Sequence, residues 1–111
     1  MNNTTKSIIN DVNRSVVKAG FHVQTEVQES IAGHKAEPRS VDTGRFLNSI
    51  KSEQNQLLTA TVSTNVEYAK ALEYGTSKMA PRSHFRNTVA RSQKEVVEYI
   101  NKAINKAIRK T

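Results

Sequence analysis

Apolar positions in the first third of the chain fall three or four residues apart: Ile8, Val12, Val16, Ala19, Val23, Val27 and Ile31. That spacing puts them on one face and predicts a helix over residues 5–32. Thr4 or Thr5 is suited to cap its start, and Gly33 stands where helices commonly end. At 1.5 Å per residue the helix would run to about 42 Å. Gly20 lies inside it and costs ~1 kcal/mol relative to Ala, which admits a bend or break there.

The pattern then changes. "GHKAEPRS", residues 33–40, reads as a loop in which Pro38 drives Glu37 away from helical angles. Asp42 offers a cap for a short helical turn over Thr43 to Asn48, although a strand also fits that stretch. In "LLTATVST" the side chains alternate, with Leu58, Ala60 and Val62 on one side and Thr59, Thr61 and Ser63 on the other. Ile50 to Gln54 is expected to pair with this strand through a polar turn at Asn55 and Gln56. Two strands alone are not stable in water, so they require helix cover, and a strand from a neighbouring molecule would extend them.

Residues 66–74 suit a short helix with Tyr68, Ala69 and Leu72 facing inward and Gly75 as its stop. Ser83 is placed to cap a last helix over residues 84–109, about 39 Å long. Its expected buried stripe is Phe85, Val89, Ser92, Val96, Ile100, Ala103 (or Ile104) and Ala107 (or Ile108). The fold class is therefore α+β: two long amphipathic helices, N- and C-terminal, packed on a small antiparallel sheet with a short helix between.

Composition narrows this picture. The 111 residues suit a single domain spanning 1–111, burying roughly two-thirds of the surface its unfolded chain exposes. Only 36% of residues are hydrophobic and Trp is absent, so the isolated chain is expected to be marginally stable, with room for stabilisation by partner subunits. Without Cys there is neither a disulfide framework nor a thiolate metal site. The polar start "MNNTTKSIIN" lacks the apolar centre of a signal peptide, and no apolar run is long enough to cross a bilayer. These features predict a soluble protein, made in cytoplasm and without a membrane partner.

The charge is uneven. Residues 78–111 carry nine Lys or Arg against Glu95 and Glu98, which is the whole net +7, while residues 1–77 balance eight basic against eight acidic residues. Such a segment suits an acidic partner, nucleic acid or protein. Lys102, Lys106, Arg109 and Lys110 are the candidate contacts. The bland alternative is a solvated face that keeps the protein soluble.

Catalytic chemistry is hard to find. His22, His34 and His84 are far apart and lack the spacing of a helical metal motif, so they read as surface residues and no metal or cofactor is expected. A Ser83–His84–Asp42 site has no nucleophile elbow behind it, and capping accounts for Ser83. Asp42 and Glu73 read as solvated carboxylates, and the four glycines never cluster into a phosphate-cradling loop. No catalytic residue is assigned.

Three stretches in order, "VDTGRFLNSI" (41–50), "VEYAKALEYGT" (66–76) and "KMAPRSHFRNTV" (78–89), resemble the Hong Kong-97-type family of tailed-phage tail components. The resemblance covers roughly residues 41–105, with an opening helix consistent in place. Phe46 stands where the family more often has Leu, and "RSHF" replaces a proline followed directly by Phe. The resemblance implies a non-enzymatic structural protein of the virion neck or tail, acting in head–tail joining or tail completion. It further implies a homo-oligomeric ring, a hexamer by family likeness, touching other neck or tail proteins and, non-specifically, phage DNA. The insert Gly75–Pro81 then reads as a shaped connector, with Gly75 at positive φ, Pro81 stiffening the approach, and Lys78 and Met79 available to an adjacent subunit. The alternative is an ordinary loop with Met79 tucked over its own core. Arg45 is expected to pair with a carboxylate such as Glu73, within or between subunits. The competing class is a small basic nucleic-acid-binding protein that contacts phosphates through the last helix.

Overall fold

A computed structural model describes residues 3–41 and 44–109. In order, the elements are α1 (Asn3–Ile31), α2 (Arg45–Ser49), β1 (Lys51–Gln56), β2 (Thr59–Ser63), α3 (Ala69–Tyr74) and α4 (His84–Arg109). The predicted α+β arrangement is present, and two short helices, not one, separate the long ones. The molecule is elongated, 56 × 24 × 22 Å.

α1 is continuous, and both proposed caps, Thr4 and Thr5, lie inside it. Its apolar stripe is half-buried at Ile8, Val12 and Val16 and fully buried at Val27 and Ile31. The helix ends as Gly33 requires: φ is +88°, the His34 N–H donates to the Glu29 carbonyl, and the Gly33 N–H donates to Ser30. These are the two hydrogen bonds of a Schellman stop. Gly20 neither bends nor breaks the helix. A Cβ there would strike Ser52 Oγ and would lie 2.8 Å from Ala60 Cβ, so glycine is the clearance that lets the hairpin lie flat on α1.

β1 and β2 form a two-stranded antiparallel sheet, with Lys51 opposite Ser63 and Gln56 opposite Thr59. The turn is Leu57–Leu58, two residues beyond the expected Asn55–Gln56. An irregularity between Glu53 and Gln56 gives β1 one residue more than its partner. Leu58 takes φ +62°, and its N–H donates to the side chain of Asn13 on α1 at 2.8 Å. The same Asn13 oxygen accepts from Gln54 Nε2 at 2.7 Å, and nearer the base Gln24 Oε1 accepts from the Ser52 N–H. Two carboxamides thus fix the hairpin along α1 at both ends.

The core gathers at one end of the molecule. Val27 and Ile31 of α1, Phe46 of α2, Ile50, Val66 and Ala69 form it, with Val23, Val41, Leu47, Val62, Leu72 and Phe85 around the rim. The proposed cap Asp42 lies outside the described residues, and α2 starts after Gly44 at φ +84° without a side-chain cap. α3 begins at Ala69, three residues later than expected, with Val66 buried in the preceding turn.

α4 spans the predicted residues and buries Ser92 and Ala107 of the expected stripe, with Val96 and Ile100 half-buried, but its first two turns face inward through His84 and Thr88 in place of Phe85 and Val89. Its buried positions are His84, Thr88, Ser92 and Ala107, while Phe85 is only half-buried and Val89 is 55% exposed. A polar side chain that finds a partner can be buried as readily as an apolar one, and the partners of His84 and Thr88 lie on other elements or the next helical turn.

Gly20→Ala separates helix propensity from packing. Propensity alone would stabilise α1 by ~1 kcal/mol. The close approach of Ser52 and Ala60 predicts a lower urea midpoint than the parent chain. A higher midpoint would show that the hairpin does not sit on Gly20.

Candidate functional site

The buried faces of α1 and α4 meet around a carboxylate. Glu37, only 5% exposed, accepts both Nη groups of Arg91 at 2.7 and 2.8 Å, Asn87 Nδ2 at 3.0 Å and the Ser30 hydroxyl. Pro38 holds this loop out of helix, so Glu37 can reach in between the last turn of α1 and the second turn of α4. The bidentate Arg91 clamp, above all, lowers the Glu37 pKa from 4.5 to about 2, against the opposing effect of burial.

His84 extends the network. Its Nδ1 lies 2.7 Å from Ser30 Oγ and its Nε2 2.8 Å from Ser40 Oγ. The Ser30 proton goes to Glu37, so Ser30 accepts from Nδ1–H; Ser40 Oγ has two acceptors for its proton, Nε2 at 2.8 Å and the Pro38 carbonyl at 3.3 Å, and the shorter contact together with burial favours a neutral ring. Burial lowers the His84 pKa, against the attraction of Glu37 and Glu73. Arg82 Nη1 closes the chain on Ser40 Oγ and on the Arg39 carbonyl. The expectation of three surface histidines therefore fails for His84, which is 1% exposed and stacks edge-on to Phe46 with ring centroids 6.0 Å apart. Ser40 and His84 stand within nucleophile–base distance, but Glu37, the carboxylate joined to this ring through Ser30, is committed to Arg91 and lies one hydroxyl away. The arrangement is a tie between helices, joining α1, the 33–41 loop and α4.

A second carboxylate caps α4. Glu73 accepts the N–H groups of Phe85 and Arg86, both at 2.9 Å, where the helix dipole favours negative charge. Ser83, expected to cap, instead donates its hydroxyl to the Glu73 carbonyl at 2.9 Å. Glu73 is thus neither solvated nor the partner of Arg45. Arg45 pairs with Glu67 through two bonds of 2.9 and 2.7 Å on the exposed surface, nearer in space and free of a capping role.

The Gly75–Pro81 insert has the predicted glycine geometry. Gly75 has φ +78°, and a Cβ would lie 2.8 Å from the Met79 carbonyl oxygen and from Pro81 N. Thr76 and Met79 exchange both backbone hydrogen bonds, and the Lys78 N–H donates to Thr76 Oγ1. Lys78 is exposed and Met79 half-buried. Arg45 lines a separate depression of about 540 Å³ with Arg39, Arg82 and Tyr68.

The basic candidates lie along α4. Lys102 and Lys106 face Arg14 and Lys18 of α1 across two shallow depressions of about 440 and 330 Å³, with Tyr99 between. Asp11, Glu95 and Glu98 line the same depressions, so the surface is mixed in sign. Arg109 is exposed at the end of α4, and Lys110 lies outside the described residues, as does the Asp42 of the rejected triad. Among the described residues no group of His, Asp or Glu is arranged to hold a metal, and no helix is long and apolar enough to cross a membrane.

The other side of the α1–α4 pair is different in kind. A trough of about 330 Å³ runs between β2 and α4 with α1 as its floor, lined by Val16, Ala19, Gly20, Val23, Val27, Ala60, Val62, Phe85, Val89, Val96 and Ile100. Every lining residue is apolar or glycine. The sequence reading missed it because those α4 residues read as core.

The tie predicts two acid-sensitive steps. An unfolded His84 takes a proton near pH 6.5 that the buried ring resists, so stability falls as pH drops below that value. Glu37 contributes on the order of 3 kcal/mol above its unfolded pKa, lost as pH falls from about 4.5 towards 2. Urea midpoints followed by circular dichroism should show both declines, with His84→Gln removing the first and Glu37→Gln the second. Parent and variant profiles of the same shape would contradict the assignment.

The sequence pattern of the HK97-gp10-like family, described as bacteriophage HK97 gp10 tail components, matches residues 1–75. The match takes in α1, the hairpin and α3 and stops before "KMAPRSHFRNTV", so its extent differs from the expected 41–105 and the third motif lies beyond it. Comparison with curated proteins and with solved structures gives no match. With about two-thirds of its length inside the family pattern, the chain belongs to the HK97-gp10-like family of phage tail components.

Proposed function

We propose that this protein is a non-catalytic structural subunit of the virion neck or tail, working in head–tail joining or tail completion as one copy of a closed ring. Family membership supports the tail-component part of this reading. The observation that carries the rest is the open apolar trough beside a sheet of only two strands, whose outer edges have no strand partner among the described residues. An unpaired sheet edge beside an apolar trough is a place where a second protein can pack. A ring of copies would cover such surfaces without leaving free ends. Contact with phage DNA through Lys102, Lys106 and Arg109 is carried less far, because acidic residues interrupt the basic surface.

Deleting the gene from its phage tests the reading. The expected outcome is filled heads and tails that fail to join, or tails of aberrant ends, seen by negative-stain microscopy and rescued by the gene in trans. Intact infectious particles lacking the protein would contradict it.

A further inference from the structure

The chain carries an apolar knob as well as an apolar trough. Leu57 and Leu58 form the hairpin turn and are 57% and 45% exposed. Leu58 sits at φ +62°, a conformation that disfavours a branched side chain and that glycine or asparagine would adopt at lower cost. A turn selected for folding alone would not place leucine there. The tip is also rigid, because Asn13 holds both Leu58 and Gln54. It is pinned to α1 by those bonds and cannot fold back into the trough of its own copy.

Charge points to the same occupant. In a chain that is 24% charged, residues 54–66 contain no Asp, Glu, Lys or Arg. The whole distal hairpin can therefore leave water without stranding a charge. Copies carrying +7 each repel one another overall, and an uncharged apolar contact adds nothing to that repulsion.

We propose that the Leu57–Leu58 tip of one copy inserts into the trough between β2 and α4 of the next. This inference rests on the assembly reading above and names the contact that would build it. Tip and trough are different surfaces, so the contact is heterologous: each copy offers one knob and one socket, and repetition yields a ring or, if it does not close, a filament.

The test uses the full chain in sedimentation velocity across a concentration series. The parent should self-associate, more strongly at 0.5 M than at 0.05 M NaCl, because salt screens the repulsion between copies. The double substitution Leu57→Ser/Leu58→Gly removes the knob while glycine suits the positive φ, so folding is retained. It should weaken association by at least about tenfold. Val89→Glu places a carboxylate in the socket at an exposed helical position and lowers net charge, so loss of association there cannot come from added repulsion. Mixing the two variants leaves one intact knob and one intact socket, and predicts 1:1 dimers from chains that are each monomeric alone. A monomeric parent at all concentrations, unchanged association of the knob variant, or mixtures that stay monomeric would overturn the proposal. Detection of the parent protein in purified particles alongside any of those results would leave the virion role standing and remove this contact alone.

Discussion

An ion pair whose carboxylate is buried and whose guanidinium is partly open to solvent ties the two long helices together. Glu37 enters from a loop that Pro38 keeps out of helix and meets Arg91 from the second turn of α4, with Ser30 and Asn87 satisfying the remaining acceptor sites. Burying the Glu37 carboxylate is expensive, and the cost is offset when its geometry and additional hydrogen bonds are complete. Here they are complete. Because the contact joins α1, the loop and α4 at one place, it sets how the two long helices lie against each other, and the rest of the surface follows from that setting.

One consequence is the location of apolar residues. The inner face of the first two turns of α4 is occupied by His84, Thr88 and Ser92, so Val89 is left outside and Phe85 only half-buried. On α1 the apolar stripe outruns the core, which is confined to the end where Phe46, Ile50 and Val66 gather. The surplus lines the trough. A small chain that ties itself together with polar groups can thus leave apolar surface outside its core, at the expense of its own stability.

Much of the fold was legible because its signals are local. Gly33 and Gly75 end their helices at positive φ, α4 begins and ends where its spacing says, and the alternation of Ala60 and Val62 marks a strand. The hairpin turn was misplaced because the polar pair Asn55–Gln56 is the turn-like half of "NQLL"; what supports a turn at Leu57–Leu58 lies 45 residues away in the Asn13 carboxamide. Ser83 looked like the cap of α4, but Glu73 satisfies the same N–H groups from another helix. The first two turns of α4 depart from the expected stripe because His84, hydrogen-bonded to Ser30 and Ser40, takes the inward place, with Thr88 one turn on; Ser92 and Ala107 further along are buried as expected. Glu37 was invisible as a site for the same reason: its partners lie 7, 50 and 54 residues away.

The claim that a polar clasp, not an apolar seam, fixes the long helices is tested most directly by a double-mutant cycle on Glu37 and Arg91. Glu37→Gln, Arg91→Gln and the double variant would be compared with the parent by urea unfolding near neutral pH. Both single changes are expected to destabilise, Arg91→Gln the more because it leaves a buried carboxylate without its cation, and the two to couple by about 1 kcal/mol or more. Additive losses with negligible coupling would show that the helices are held by something else.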